Sequence, residues 1–297
     1  MHRIVGSISV IVYFVNTVFW FIPIMIFSIL KMLPIPPWQT LLSYLLDSCA
    51  TAWIWVNNQN QKLTSNTRWE VHGLDDLVLH DWYMVIANHQ SWVDILVLQR
   101  IFNRRIPFLK FFLKKELIWV PFLGLAWWAL DFPFMRRYSK KFLEQNPHMK
   151  GKDLKSTQKA CRKFRFKPVS IMNFVEGTRF TNAKHAKQQS SFKHLLKPKA
   201  GGMAFVLSAM KENLHKLVDV TIYYPDGAPT YWEFVCGKVK AIKVHVRVLS
   251  LEELRNKGII GNDYFNNAEQ RAVFQAWLNE LWTMKDKELT LMASNEI

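Results

Sequence analysis

Asn88-His89-Gln90-Ser91-Trp92-Val93-Asp94 follows an apolar run ending at Ala87 and sets an imidazole and a carboxylate five positions apart. On one continuous helix the two side chains would point roughly 140° apart, at about 100° per residue. They meet only if His89 lies in a loop and Asp94 in the first turn of the helix that follows. The carboxylate would then hold Nδ1–H and leave Nε2 facing outward as a base. Stripping an alcohol outright with such an imidazole is uphill by roughly nine units, or about 12 kcal/mol. The proton must therefore leave as the oxygen attacks, which is general-base catalysis and needs a fixed ring. Ser91-x-x-Asp94 also fits a helix capping box, which explains the serine and the carboxylate but gives the histidine no task.

Phe174-Val175-Glu176-Gly177-Thr178-Arg179 ends a second apolar run. Gly177 permits a tight turn, and Arg179 would project where α/β proteins bind ligands. A guanidinium there suits a phosphate monoester, to which it makes two parallel hydrogen bonds. A surface turn closed by a Glu176–Arg179 ion pair is the plainer alternative. Lys114-Lys115-Glu116-Leu117 and Phe134-Met135-Arg136-Arg137 flank the aromatic segment Leu117–Phe134. These basic pairs could grip a headgroup while the apolar part holds an acyl chain, or they form a solvated face or a membrane-contact rim. Lys184, Lys187, Lys193, Lys197 and Lys199 make the loop after Arg179 strongly basic. HExxH, P-loop, GxGxxG and GxSxG patterns are missing from the sequence, so zinc-protease, NTPase, dinucleotide and α/β-hydrolase readings lack support. The alternation of Lys243, His245 and Arg247 reads as a polar sheet face rather than a metal site.

These residues need strands that end beside helices. Strand-like runs at Trp69–His72, Tyr83–Ala87, Val169–Val175, Val218–Tyr223, Tyr231–Val235 and Ile242–Leu249 alternate with helical patterns at Trp92–Ile101, Lys140–Arg165, Gly202–Glu212 and Asn267 to the end. The expected fold is therefore α/β, with a mixed central sheet flanked by helices in one domain over residues 58–297. Residues 1–57 read as a membrane anchor. Ile8–Leu30 carries no charged side chain and is long enough as a helix to cross a bilayer. Leu41–Val56 holds Asp47 in its middle, which suits a shallow or interfacial helix better than a second span. Across 297 residues the formal charge is +16 with half the residues hydrophobic, which excludes a disordered chain and points to an anionic partner. The three cysteines, Cys49, Cys161 and Cys236, form no disulfide or zinc pattern. A membrane-tethered RNA-binding protein and a non-catalytic membrane scaffold are the competing classes; the charge is spread without a nucleic-acid recognition motif, and a scaffold would leave His89 and Arg179 without a shared role.

The order NHQSWVD, KKEL…VPFLG…DFPFMRR, FVEGTR and a strand ending Tyr223-Tyr224-Pro225 resembles the lysophospholipid acyltransferases of the 1-acylglycerol-3-phosphate acyltransferase type. The similarity covers roughly residues 65–250 and leans toward a bacterial inner-membrane branch that resembles lysocardiolipin-type enzymes. It implies His89 as base, Asp94 as its orienting partner, and Glu176, Gly177, Thr178 and Arg179 as the acceptor-phosphate loop, helped by Lys115 and Arg136. Asn88, Ser91 and Pro225 carry over weakly. Val175 stands where the family usually has proline, which bears on the stiffness of that turn. The resemblance also implies acyl transfer from acyl-CoA or acyl-acyl carrier protein to a lysophospholipid, without a metal or other cofactor and without a nucleic-acid partner. The acceptor would be 1-acyl-sn-glycerol-3-phosphate, with lysophosphatidylglycerol or lysocardiolipin as alternatives. The catalytic domain would then sit on the cytoplasmic side of a bacterial inner membrane.

Overall fold

The computed structural model describes residues 2–135, 145, 167–210, 213–261 and 263–294. It opens with two helices, α1 (His2–Leu30) and α2 (Pro36–Thr64). Six strands then build one sheet: β1 (Arg68–His72), β2 (Tyr83–Ala87), β3 (Leu109–Phe111), β6 (Ser170–Phe174), β7 (Lys216–Tyr223) and β8 (Ala241–Ser250). The order across the sheet is β1-β8-β7-β2-β6-β3. Neighbours run parallel except β7 and β8, so the sheet is mixed. Every residue of β2 is buried, as an unbroken apolar strand with helices on both sides should be. Two short strands, β4 (Leu113–Lys114) and β5 (Phe134–Met135), form a separate pair.

Helices cover both faces. Val93 and Val97 of α3 (Val93–Phe102) and Phe234 of α7 (Tyr231–Val235) pack against Tyr83, Val85 and Met172 on one face. On the other, Met84, Ile86 and Ile171 meet Met203 and Leu207 of α6 (Ala200–Ala209) and Phe274 and Trp282 of α9 (Ala268–Ser294). Leu251 and Leu254 of α8 (Leu251–Asn256) join this layer, whereas the short α5 (Asn182–Gln188) buries no residue. The polar face expected at Lys243, His245 and Arg247 lies beneath α9: His245 pairs with Glu288, and Arg247 sits 2.7 Å from Asp219. The chain after β2 returns as β3, and the chain after β6 returns as β7 on the opposite side of β2. Paired Ala87 and Phe174 bring the two motif-bearing strand ends together where these connections diverge.

Tyr231–Val235, expected as a strand from its aromatic and β-branched residues, is the helix α7. Thr230 Oγ1 accepts the Glu233 N–H at 3.2 Å while Glu233 Oε2 accepts the Thr230 N–H at 2.8 Å. This reciprocal cap after Pro229 overrides the strand propensity. Apart from residue 145, the helix expected at 140–165 lies outside the described residues, as does Cys161; Cys49 and Cys236 are buried free thiols.

The expected boundary at residue 57 falls inside α2. The α1–α2 pair is antiparallel along a polar seam: Asn16 Nδ2 donates to Asn57 Oδ1, Asn60 Nδ2 to Ser9 Oγ and Gln61 Nε2 to the Tyr13 hydroxyl, each at 2.8 Å. Asp47 is not left alone, for Lys167 Nζ stands 2.6 Å and Lys110 Nζ 3.7 Å from its carboxylate. Residues of the sheet domain thus neutralise this charge, and among the described residues only α1 is a helix long and apolar enough to cross a membrane. The start of α1 docks on α7, where a Cβ at Gly6 would fall 2.4 Å from Cys236 Sγ. Its end pairs Lys31 with Asp131, just past α4 (Leu123–Ala129). The seam side of α1 is satisfied, while Ile4, Ile8, Ile11, Val15, Phe19, Ile22, Ile26 and Ile29 form an exposed apolar stripe at helical spacing.

Candidate active site

His89 lies in the loop between β2 and α3, and Asp94 is the second residue of α3. That break in the helix lets the two side chains meet: His89 Nδ1 stands 2.8 Å from Asp94 Oδ2. A carboxylate accepts only, so Nδ1 carries the proton and Nε2 is the free, basic nitrogen. Asp94 is fully buried, and Oδ2 also accepts the N–H groups of Gln90 at 2.6 Å and Ser91 at 2.9 Å. The capping and orienting readings of Asp94 therefore coexist, since one oxygen closes the helix N-terminus and steers the imidazole. The serine half of the expected box is displaced by one residue: Ser91 Oγ accepts from the Val93 N–H at 3.0 Å instead of that of Asp94, and donates to the Pro229 carbonyl. The ring of Phe174 stacks on His89 with centroids 3.8 Å apart and planes 13° apart.

Asn88 is buried and works as a strut. Its side-chain amide exchanges two 2.9 Å hydrogen bonds with the backbone of Ile222, which locks the loop to β7. Across the crevice the Phe180 N–H donates to the His89 carbonyl at 2.7 Å, so the two motifs are joined through their backbones. Gly177, at φ +72°, closes the turn after β6 with its N–H on the Phe174 carbonyl at 2.9 Å. Val175 replaces the usual proline without loosening the turn, because its side chain is buried and its carbonyl accepts the Lys199 N–H at 2.8 Å.

Glu176 does not face the crevice. Its side chain is fully buried, and Oε2 accepts the Leu196 N–H at 3.3 Å, so it reaches no incoming ligand. Burial pushes this carboxyl up to about 8, against the pull of the Leu196 and His89 amides. Arg179 is half-buried, with its guanidinium over the Trp92 ring at 4.6 Å. Lys184 Nζ donates to Thr178 Oγ1 at 2.7 Å and to the Arg179 carbonyl at 2.9 Å, and Lys199 lies over Gly177. Lys115 is exposed at the start of a 3-10 turn, Lys115–Trp119. Arg136 lies outside the described residues. Pro225 sits exposed in a turn and makes no contact with the pair; from that motif it is Tyr224 that reaches the site, its hydroxyl 2.7 Å from Asp94 Oδ1. Among the described residues no cluster of three or more His, Cys, Asp or Glu side chains could hold a metal ion.

His89 opens into a cavity of about 710 Å³ walled by Trp20, Phe21 and Ile24 of α1, Ala50 and Trp53 of α2, Phe111 of β3, and Phe122, Ala126 and Leu130 around α4. The segment Leu117–Phe134 divides its residues between this wall and the surface, where Trp119 and Trp128 are exposed. A base with one free nitrogen, a cationic turn beside it and a long apolar pocket suit proton transfer on an amphiphile.

The family model described as "Acyltransferase" matches residues 68–225, more than half of the chain. Among curated proteins the chain is 26% identical over 217 residues to the 1-acyl-sn-glycerol-3-phosphate acyltransferase delta of Homo sapiens, covering 68% of this chain and 51% of that protein. It is 25% identical over 233 residues to a probable 1-acyl-sn-glycerol-3-phosphate acyltransferase 5 of Arabidopsis thaliana, covering 74% of this chain and 56% of that protein. The chain thus spans about half the length of the curated relatives it matches. Among solved structures it resembles the 1-acyl-sn-glycerophosphate (LPA) acyltransferase PlsC of Thermotoga maritima, with a TM-score of 0.52, 15% identity and 98% coverage of each chain. At that identity the likeness speaks for the fold.

Proposed function

Since the chain belongs to the acyltransferase family, we propose that it moves a fatty acyl group from an acyl thioester to the free hydroxyl of a lysophospholipid, 1-acyl-sn-glycerol-3-phosphate in the first instance. The observation that carries this reading is the His89–Asp94 pair at the mouth of the apolar cavity, tied through Phe180 to the turn bearing Arg179. The acceptor hydroxyl donates to Nε2, and its oxygen attacks the thioester carbonyl as the proton moves to the ring. The tetrahedral intermediate collapses with loss of the thiolate, which takes the proton back from the imidazolium. One ester and one thiol result, with no covalent bond to the protein. Arg179 and Thr178, on the turn that the Gly177 N–H closes, are the chain's ligands for the acceptor phosphate, with Lys115 and Arg136 assigned from sequence. Glu176 shapes this loop from behind. The cavity takes the acyl chain, and Lys187, Lys193 and Lys197, exposed on and after α5, offer cations to an anionic donor such as CoA or acyl carrier protein.

The exposed stripe of α1, together with the exposed Trp119, Leu125 and Trp128, is the apolar surface through which the enzyme meets its amphiphilic substrate. Because α1 is docked on α7 at one end and on Asp131 at the other, the hairpin lies against the domain and enters the membrane by this face. The catalytic domain then sits at the cytoplasmic surface of a bacterial inner membrane, as the basic excess favours. The test is mass spectrometry of products from membranes offered mixed lysophospholipids and labelled acyl thioesters. Labelled phosphatidic acid is expected. Label in phosphatidylglycerol or cardiolipin alone would reassign the acceptor, and no labelled phospholipid would contradict the reading.

A further inference from the structure

Tyr224 lies just beyond β7, buried, and touches the one carboxylate oxygen that His89 does not use. Oδ2 of Asp94 serves the imidazole and two backbone amides; among the described residues, Oδ1 has the Tyr224 hydroxyl, 2.7 Å away, as its hydrogen-bond partner. Beside a carboxylate the phenol can only donate, and burial with that negative charge pushes it well above the usual tyrosine value. The lock between Asn88 and Ile222 fixes the end of β7 against the loop of His89, so Tyr224 arrives two residues later in a set position. Three adjacent strands, β6, β2 and β7, thereby deliver the stacking ring, the base and the phenol to one point.

We propose that Tyr224 is a positioning residue that, by donating to Asp94 Oδ1, holds the carboxylate in register with the imidazole and sets how tightly His89 keeps a proton. The inference rests on the acyl-transfer reading and deepens it. A fully buried carboxylate that loses one of its donors concentrates its charge on the remaining ones, and the nearest of these that can titrate is His89. The other charged groups near the pair are Glu176 behind the turn after β6, Lys285 of α9 beyond it, and Arg179 and Lys199 along that turn.

The test is the pH profile of kcat/KM for acyl transfer by the purified full-length enzyme. In Tyr224→Phe the imidazolium is stabilised, so the acidic limb moves to higher pH by about half to one unit. At neutral pH kcat falls about tenfold while KM for the acceptor stays within about twofold. In an Asp94→Asn background the same change adds nothing. Site-specific 3-fluorotyrosine at position 224 is a stronger donor of nearly the same volume and moves the limb the opposite way; it carries the test should the phenylalanine variant fail to fold. An unmoved limb in the folded variants overturns the inference, even if activity drops, because packing alone lowers rate without shifting the profile. A wild-type enzyme that moves no acyl groups contradicts instead the reading beneath it.

Discussion

At His89 the carboxylate of Asp94 fixes the tautomer and the ring of Phe174 fixes the plane, which leaves Nε2 as the only reactive atom of the side chain. Both residues of the pair are legible in sequence, because a histidine that no cap explains beside a carboxylate that a cap does explain is a chemical anomaly. Glu176 is different. Its place in the acceptor loop follows from its motif, but its direction is set by the Leu196 amide, twenty residues on and brought back by the fold. A prediction separates a buried strut from a ligand. The carboxyl is raised from 4.5 to about 8 in the folded chain, so across that window the unfolded chain gives up a proton that the folded chain keeps. Stability from this group is thus lost as pH rises through that window. Glu176→Gln is neutral in both states and abolishes this loss: its Tm advantage over wild type should grow from pH 5 to pH 8, with transfer kept within about threefold. Thermal melts across pH, paired with the transfer assay, check it.

Strand ends and helix starts do the positioning, and most of them follow from pattern alone. β2, β6 and β7 emerge from largely apolar runs because buried strands between helices have little choice of composition, and β8 from an apolar/polar alternation. What pattern hides is tertiary. The three-residue β3 is too short to stand out, and α7 is written in strand-forming residues that a cap overrules. The cavity is also an assembly of elements, with α1, α2, β3 and α4 each giving one wall, so no single segment shows it. Ala126, on α4, is small where a larger ring would fill that space. Ala126→Phe should shorten the usable pocket and shift donor preference toward acyl chains shorter by about two to four carbons, at about 0.8 kcal/mol for each methylene that no longer fits. Competition between labelled acyl thioesters of graded length reads this out, and an unchanged preference would place the chain elsewhere.

As a whole the molecule is a catalytic sheet bound along one side to an apolar hairpin. The hairpin belongs to the site as much as to the membrane, since α1 carries the exposed stripe on one face and Trp20, Phe21 and Ile24 of the cavity wall on another. Charging the stripe by Ile11→Asp and Ile22→Asp should release the enzyme from vesicles in flotation while detergent-dispersed substrate is still turned over. Loss of both together, with a normal melt, would mean that the stripe serves catalysis directly. The central claim is that acyl transfer runs through one imidazole. It is tested most directly by the single-turnover rate of purified His89→Ala with lysophosphatidic acid and a labelled acyl thioester, alongside its melting temperature and vesicle binding. A fall of at least about a thousandfold with folding and membrane binding unchanged is the predicted result; transfer at close to the wild-type rate would contradict it.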